Sequence, residues 1–175
     1  MLFRSLTKPA FAAILPSLTS DGSIVAQANW VRLATHSSAL AEADMRLWDR
    51  VRPLIEAEPF RPPTAREMAE HLGQPVAKVR SLCKSLARMG ELSEIAADRF
   101  FFPATVSAFA AIAHKLGTDS ATKTFTAAQF KDAAGSGRNV GIQVLEYFDR
   151  RGYTLRQGDV RRVVKAPEAV FPKRG

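Results

Sequence analysis

Six residues in the last third of the chain have types and spacing suited to holding phosphate: Lys131, Arg138, Asn139, Arg156, Arg161 and Arg162. Arg138 and Asn139 follow Gly135-Ser136-Gly137 directly and open a run of helical periodicity. Amides at a helix start point outward with the positive end of the dipole, so an arginine beside them strengthens an anion site. The flanking glycines let backbone approach a ligand closely. Arg156, Arg161 and Arg162 fall on a predicted β-hairpin, and a basic hairpin can lie along a phosphate backbone. Lys131 adds charge on the preceding short helix. Other chemistries lack their constellations: there is no GxxxxGK[ST] loop, no Ser/His/Asp pattern and no paired-carboxylate arrangement. His36, His71 and His114 stand far apart without ligand spacing, so no metal site, catalytic residue or cofactor is expected in this chain.

The elements that position these residues occur twice. At an offset of 62 residues Thr64 maps to Thr126, Met68 to Phe130, Gly73 to Gly135, Leu82 to Val144, Leu86 to Phe148, Gly90 to Gly152 and Arg99 to Arg161. Internal repetition points to a modular array that presents a surface. In the first copy, Leu47, Val51, Leu54 and Ile55 recur at helical spacing over 41–58, ahead of Pro59. Thr64 with Glu67 is a capping box opening a short helix that Gly73 stops. A third helix over 76–89 turns Val79, Leu82, Cys83 and Leu86 inward, Gly90 ends it, and residues 92–95 and 99–102 read as a hairpin. The second copy has helices over 106–116, after Thr126 and over 138–151, then strands over 153–157 and 160–164 around Gly158-Asp159. Helix, helix, helix, hairpin is the order of a winged helix. The fold expected is mainly α with small hairpins, in tandem winged-helix modules: 41–103, 104–175, and, at 1–36, the C-terminal part of a preceding module. That remnant is read from Phe11, Ile14, Leu15 and Leu18, then Gly22 and a hairpin over 23–33, and its apolar face is expected to pack on the next unit.

The 175 residues, 46% hydrophobic, supply one large core or two small ones, and the repeat favours two. The formal charge of +8 suggests a polyanionic partner. The copies differ in where charge lies. Residues 90–103 set Glu91, Glu94 and Asp98 against Arg99, for −2, whereas 153–165 set Arg156, Arg161, Arg162 and Lys165 against Asp159, for +3. Glu146 and Asp149 in the last long helix argue against laying its whole length into a DNA major groove. Contacts limited to helix start and wing suit a compact, irregular nucleic acid.

Structural roles compete for several residues. Arg150 and Arg151 are expected to pair with Asp149 or Glu146, and Phe100 to Phe102 to form hairpin core. Tyr147 and Tyr153 are assigned to packing ahead of base stacking, and Trp30 and Trp48 to the joint after the remnant. Cys83, the single cysteine, reads as a core thiol in a reducing cytoplasm. No apolar run approaches a membrane span, and Phe11 to Leu15, interrupted by Pro16, is too short for a signal peptide.

Phe125-Thr126-Ala127-Ala128-Gln129-Phe130-Lys131-Asp132, then Gly137-Arg138-Asn139, then Leu145 through Asp159, LEYFDRRGYTLRQGD, with Arg161 following, resemble the last winged-helix module of the bacterial selenocysteine-specific elongation factors, the SelB family. The resemblance covers nearly the whole chain, more weakly before residue 104. It implies that 104–175 bind the selenocysteine insertion hairpin of a messenger RNA and that 41–103 act as a spacer. It also implies that GTP, selenocysteinyl-tRNA and the ribosome are engaged through parts of a longer cytoplasmic protein absent from this sequence, with no membrane partner. The alternatives are a tandem winged-helix DNA-binding regulator, in which Lys78, Lys84 and Arg88 would also matter, and a protein-interaction module.

Overall fold

The computed structural model describes residues 8–27, 30–33 and 40–171, and it divides into two compact units, Met1–Leu40 and Ala41–Gly175. In the first unit, helix α1 (Lys8–Ser20) precedes an antiparallel hairpin of β1 (Ile24–Gln27) and β2 (Trp30–Leu33), with Ile24 opposite Leu33. The helix runs on through Pro16. His36 and the side chains of Phe11 and Trp30 lie outside the described residues.

The second unit runs α2 (Glu42–Ala57), α3 (Ala65–Leu72), α4 (Val76–Met89), β3 (Ser93–Ala96) and β4 (Arg99–Phe101), then α5 (Pro103–Asp119), β5 (Phe125–Thr126), α6 (Ala127–Ala134), α7 (Arg138–Arg150), β6 (Thr154–Gln157), β7 (Val160–Val163) and α8 (Pro167–Val170). Three helices and a hairpin follow one another twice, so the architecture is tandem winged helices. The fifth helix, expected from Val106, starts at Pro103, whose fixed φ and missing N–H suit a first helical position. The second wing is three-stranded, in the order β5-β7-β6, because Phe125 and Thr126 pair with Arg161 and Val160. In the first copy the corresponding contact is a bond from the Ala65 amide to the Asp98 carbonyl, 2.9 Å.

Both short helices begin on complete capping boxes. Thr64 accepts from the Glu67 amide while the Glu67 side chain accepts from Thr64, and Thr126 and Gln129 repeat the arrangement. Gly73 and Gly135 end these helices in the left-handed conformation, with φ of 61° and 60°. Replacing Thr64 or Thr126 by alanine is expected to cost about 1 kcal/mol each, read as a lowered thermal midpoint.

Two separate small cores were expected, and the structure corrects that. Val51, Met68, Val79, Cys83 and Leu86 are fully buried among α2, α3 and α4. The second core, built on Phe109, Phe130, Val144, Leu145, Phe148 and Tyr153, also takes in Ile95 and Phe101 from the first hairpin. Successive strand residues face opposite ways, so Phe101 enters this cluster while its equally buried neighbour Phe100 does not. The first wing is thus a joint between modules. Arg150 reinforces it, donating from Nη2 to the Ile95 carbonyl at 2.7 Å. Trp48 lies 6.2 Å from Phe102, centroid to centroid. The buried Cys83 thiol is pushed up to about 12, chiefly by burial and secondarily by the Asp98 carboxylate, which leaves it inert.

Candidate nucleic-acid interface

The candidate interface is built on α6, α7 and the second wing. Thr126 starts α6 and Gly135 stops it, after which Ser136 and Gly137 turn the chain into α7. Arg138 and Asn139 occupy the first two helical positions and are exposed. With Gly137 as N-cap and no side chain capping the helix, its first amides remain available to an anion. Lys131 sits against the first turn of α7: its Cβ would lie 3.4 Å from a Cβ placed on Gly141. Its ammonium is 2.8 Å from Asp132, so part of its charge is locally offset.

The wing arginines are not equivalent. The register pairs Arg156 with Arg161 and Leu155 with Arg162, and cross-strand partners share a face while successive residues alternate. Arg156 and Arg162 are therefore exposed on opposite faces of the hairpin. Arg161 faces inward, its side chain only 6% exposed, and donates from Nε to Asp149 at 3.0 Å. The other Asp149 oxygen accepts from the Thr154 hydroxyl. Arg161 was expected to hold phosphate; instead it ties β7, and through Asp149 and Thr154 β6, to α7. Asp149, half-buried and engaged by both partners, is likewise drawn into this tether, leaving Glu146 as the exposed acid of that helix.

Arg150 and Arg151 do not pair with carboxylates as expected. Arg150 bonds the Ile95 carbonyl, and Arg151 donates to the Tyr147 hydroxyl at 3.1 Å, with its guanidinium 5.4 Å from that ring's centre. Tyr153 is fully buried and donates to the Ala110 carbonyl at 2.7 Å. Tyr147 is 8% exposed and stacks on Phe171 at 6.1 Å. Neither ring is available to a base. Phe171 and α8, which the sequence reading missed, close the core beneath the wing: Phe171 also contacts Phe148 and Tyr153.

The outcome is an asymmetric pair. The first wing is held in the joint and carries Glu91 and Glu94 exposed, whereas the second wing stands clear with Arg156 and Arg162. The exposed side of α4 keeps Lys78, Lys84 and Arg88. Among the described residues no group of three or more His, Cys, Asp or Glu is placed to hold a metal, and no helix is long and apolar enough to cross a membrane.

Residues 119–163, which span α6, α7 and the second wing, match the family model described as elongation factor SelB, winged helix. The selenocysteine-specific elongation factor of Escherichia coli is 30% identical over 146 residues, 83% of this chain. The chain resembles the C-terminal winged-helix region of SelB. The selenocysteine-specific elongation factor of Haemophilus influenzae is 24% identical over 145 residues, again 83% of the chain. This chain spans 23% of the length of either relative. A solved structure, the mRNA-binding domain of Escherichia coli SelB in complex with SECIS RNA, superposes with a TM-score of 0.65 at 28% identity, covering 72% of this chain and 100% of that one.

Proposed function

We propose that this chain grips a stem-loop in messenger RNA, a selenocysteine insertion element, with residues 104–175 as the RNA-binding module and 41–103 as its spacer. In a longer protein like its SelB relatives, that grip would hold the factor and its selenocysteinyl-tRNA near a UGA codon on the ribosome. The observation that carries the reading is the asymmetry of the wings: one is locked into the joint with acids outward, the other free with arginines on both faces. Phosphates would be held by Arg138, the free α7 amides, Arg156, Arg162 and Lys131, with Asn139 beside them able to donate to a base edge or a 2′-hydroxyl. Sequence readout would fall on unpaired bases, since side chains cannot read the deep A-form major groove.

The test is competition of a bulged stem-loop RNA against double-stranded DNA and scrambled duplex RNA over a salt series. The stem-loop is expected to win at physiological salt, with a log–log salt slope of about −3 for roughly three to four neutralised phosphates. Arg138→Ala and Arg156→Ala are each expected to weaken binding about tenfold, the value of one charge-assisted contact, and Lys84→Ala to leave it unchanged. Equal affinity for scrambled duplex would sink the reading. Sensitivity to Lys78, Lys84 and Arg88 equal to that of the second module's arginines would favour duplex DNA.

A further inference from the structure

Between the two modules of the second unit lies a cleft of about 820 Å³, walled by the end of α2, the Pro-rich segment after it, α3 and the start of α7. Three guanidinium groups line it: Arg61 and Arg99 from the first module and Arg138 from the second. The Arg61 Nε would lie 3.6 Å from a Cβ on Gly137, the N-cap of α7, so the two modules bring their charges together at that helix start.

These charges lack carboxylate partners within ion-pair distance. The ion pairs found among the described residues engage Arg46, Arg52, Arg66, Arg80, Lys131 and Arg161, and none of the cleft arginines. The repeat accounts for the unpaired state of Arg99 by contrast. Its counterpart Arg161 is bonded to Asp149, but the position equivalent to Asp149 is Ala87, and the position equivalent to Thr154 is Leu92. The first module thus has the arginine without the acid. Its Nη1 donates to the Pro62 carbonyl at 2.8 Å, while its Nε is buried with no partner. Burial lowers the Arg99 pKa, the Glu67 charge opposes that shift, and the like charge of Arg61 adds to it. The two acids on the cleft are Glu58 and Glu67, and the Glu67 carboxylate is already bonded to the Thr64 amide and hydroxyl. One half-buried guanidinium, Arg99, and two exposed ones, Arg61 and Arg138, line the cleft without an ion-pair partner; such a set at a helix start is matched by phosphate, and the volume admits a nucleotide.

We propose that this inter-module cleft is a second RNA subsite, which seats the phosphate of an unpaired nucleotide continuing from the strand held at Arg138. The subsite rests on the RNA-binding reading above and adds the first module to the grip. Arg61 and Arg99 hold the phosphate from the spacer side, so one nucleotide bridges the two modules.

Arg61 is the residue to change, because its side chain is exposed and the second module's own contacts do not include it. The probe is a stem-loop RNA selected from a randomised-loop pool on the wild-type chain, synthesised with a neutral methylphosphonate walked through its unpaired linkages. One linkage is expected to cost wild type about tenfold, the value of one charged contact. Arg61→Ala should lose about the same from the unmodified RNA and nothing further when that linkage is neutral, and its salt slope should fall by about 0.7. Glu58→Gln should tighten binding. Should Arg61→Ala bind as wild type does while Arg156→Ala weakens, the subsite is overturned and the RNA reading stands. If no stem-loop outcompetes duplex, both fall. Titration with AMP or GMP alone separates the remaining source: saturable binding abolished by Arg61→Ala would assign the cleft to free nucleotides and overturn the bridging role.

Discussion

Asp149→Ala is expected to destabilise the second unit by about 3 kcal/mol, at the low end for breaking a buried ion pair, and to lower its thermal midpoint by roughly 10 °C. The carboxylate serves two strands at once, accepting from the Thr154 hydroxyl on β6 and from the Arg161 Nε on β7. Removing it leaves the Arg161 side chain, only 6% exposed, without a counter-charge. The double variant Asp149→Ala/Arg161→Met should recover much of the loss, because no charge is then stranded. RNA binding supplies the more diagnostic readout. Deleting an acid raises the net positive charge and on electrostatics alone would tighten binding to RNA. A fall in affinity in Asp149→Ala, restored with stability in the double variant, would identify Asp149 and Arg161 as positioning residues for the wing. Stability within about 0.5 kcal/mol of wild type would mean that Arg161 finds water or another acceptor, and the tether would lose its role.

The parts of the molecule legible in sequence were those whose determinants are local. Helix α4 runs from Val76 to Met89 as read, since Pro75 and Gly90 punctuate it and Val79, Leu82, Cys83 and Leu86 mark one face. The capping boxes at Thr64 and Thr126 are likewise set by residues three apart. Arg161 was misassigned because Val160-Arg161-Arg162-Val163 has two arginines side by side on a strand. One must face inward, and which one is decided by Asp149, twelve residues away on α7. The role of the first wing did leave a signal. Phe100-Phe101-Phe102 does not alternate with polar residues, as a strand covered on both faces would not; the cover on its second face is the cluster of the other module, which a reading of the hairpin alone does not supply. Helix α8 is four residues long, and Phe171 after it is held by contacts with Tyr147, Phe148 and Tyr153 rather than by helix propensity. The cleft was hidden for a similar reason. Arg61 lies in a Pro-rich segment with no periodicity, and its neighbour Gly137 is far along the chain.

Phe109→Ala is expected to have the largest effect of any single change, about 3 to 5 kcal/mol, because the ring is fully buried and belongs to both modules. From α5 it meets Phe60 edge-on at 5.0 Å and Phe101 at 5.7 Å, both from the first module, and Phe130 of α6 at 5.9 Å. A ring shared in this way couples the two winged helices, so residues 41–175 should melt in a single transition with equal calorimetric and van't Hoff enthalpies. Truncating the ring opens a cavity at the point of coupling, and the transition should split into two. Two transitions already present in wild type, with only the second moved by Phe109→Ala, would make the modules independent folding units despite their shared cluster. The consequence reaches the RNA surface. The cleft that joins Arg61 and Arg99 to Arg138 exists only while the modules hold their relative placement. Phe109→Ala should therefore remove the contribution of Arg61 to RNA affinity and leave that of Arg156, although it alters no charged residue. A loss confined to the bridging contact would trace the spacer's role to the aromatic joint, whereas an equal loss at both arginines would mean that the second module itself had failed to fold.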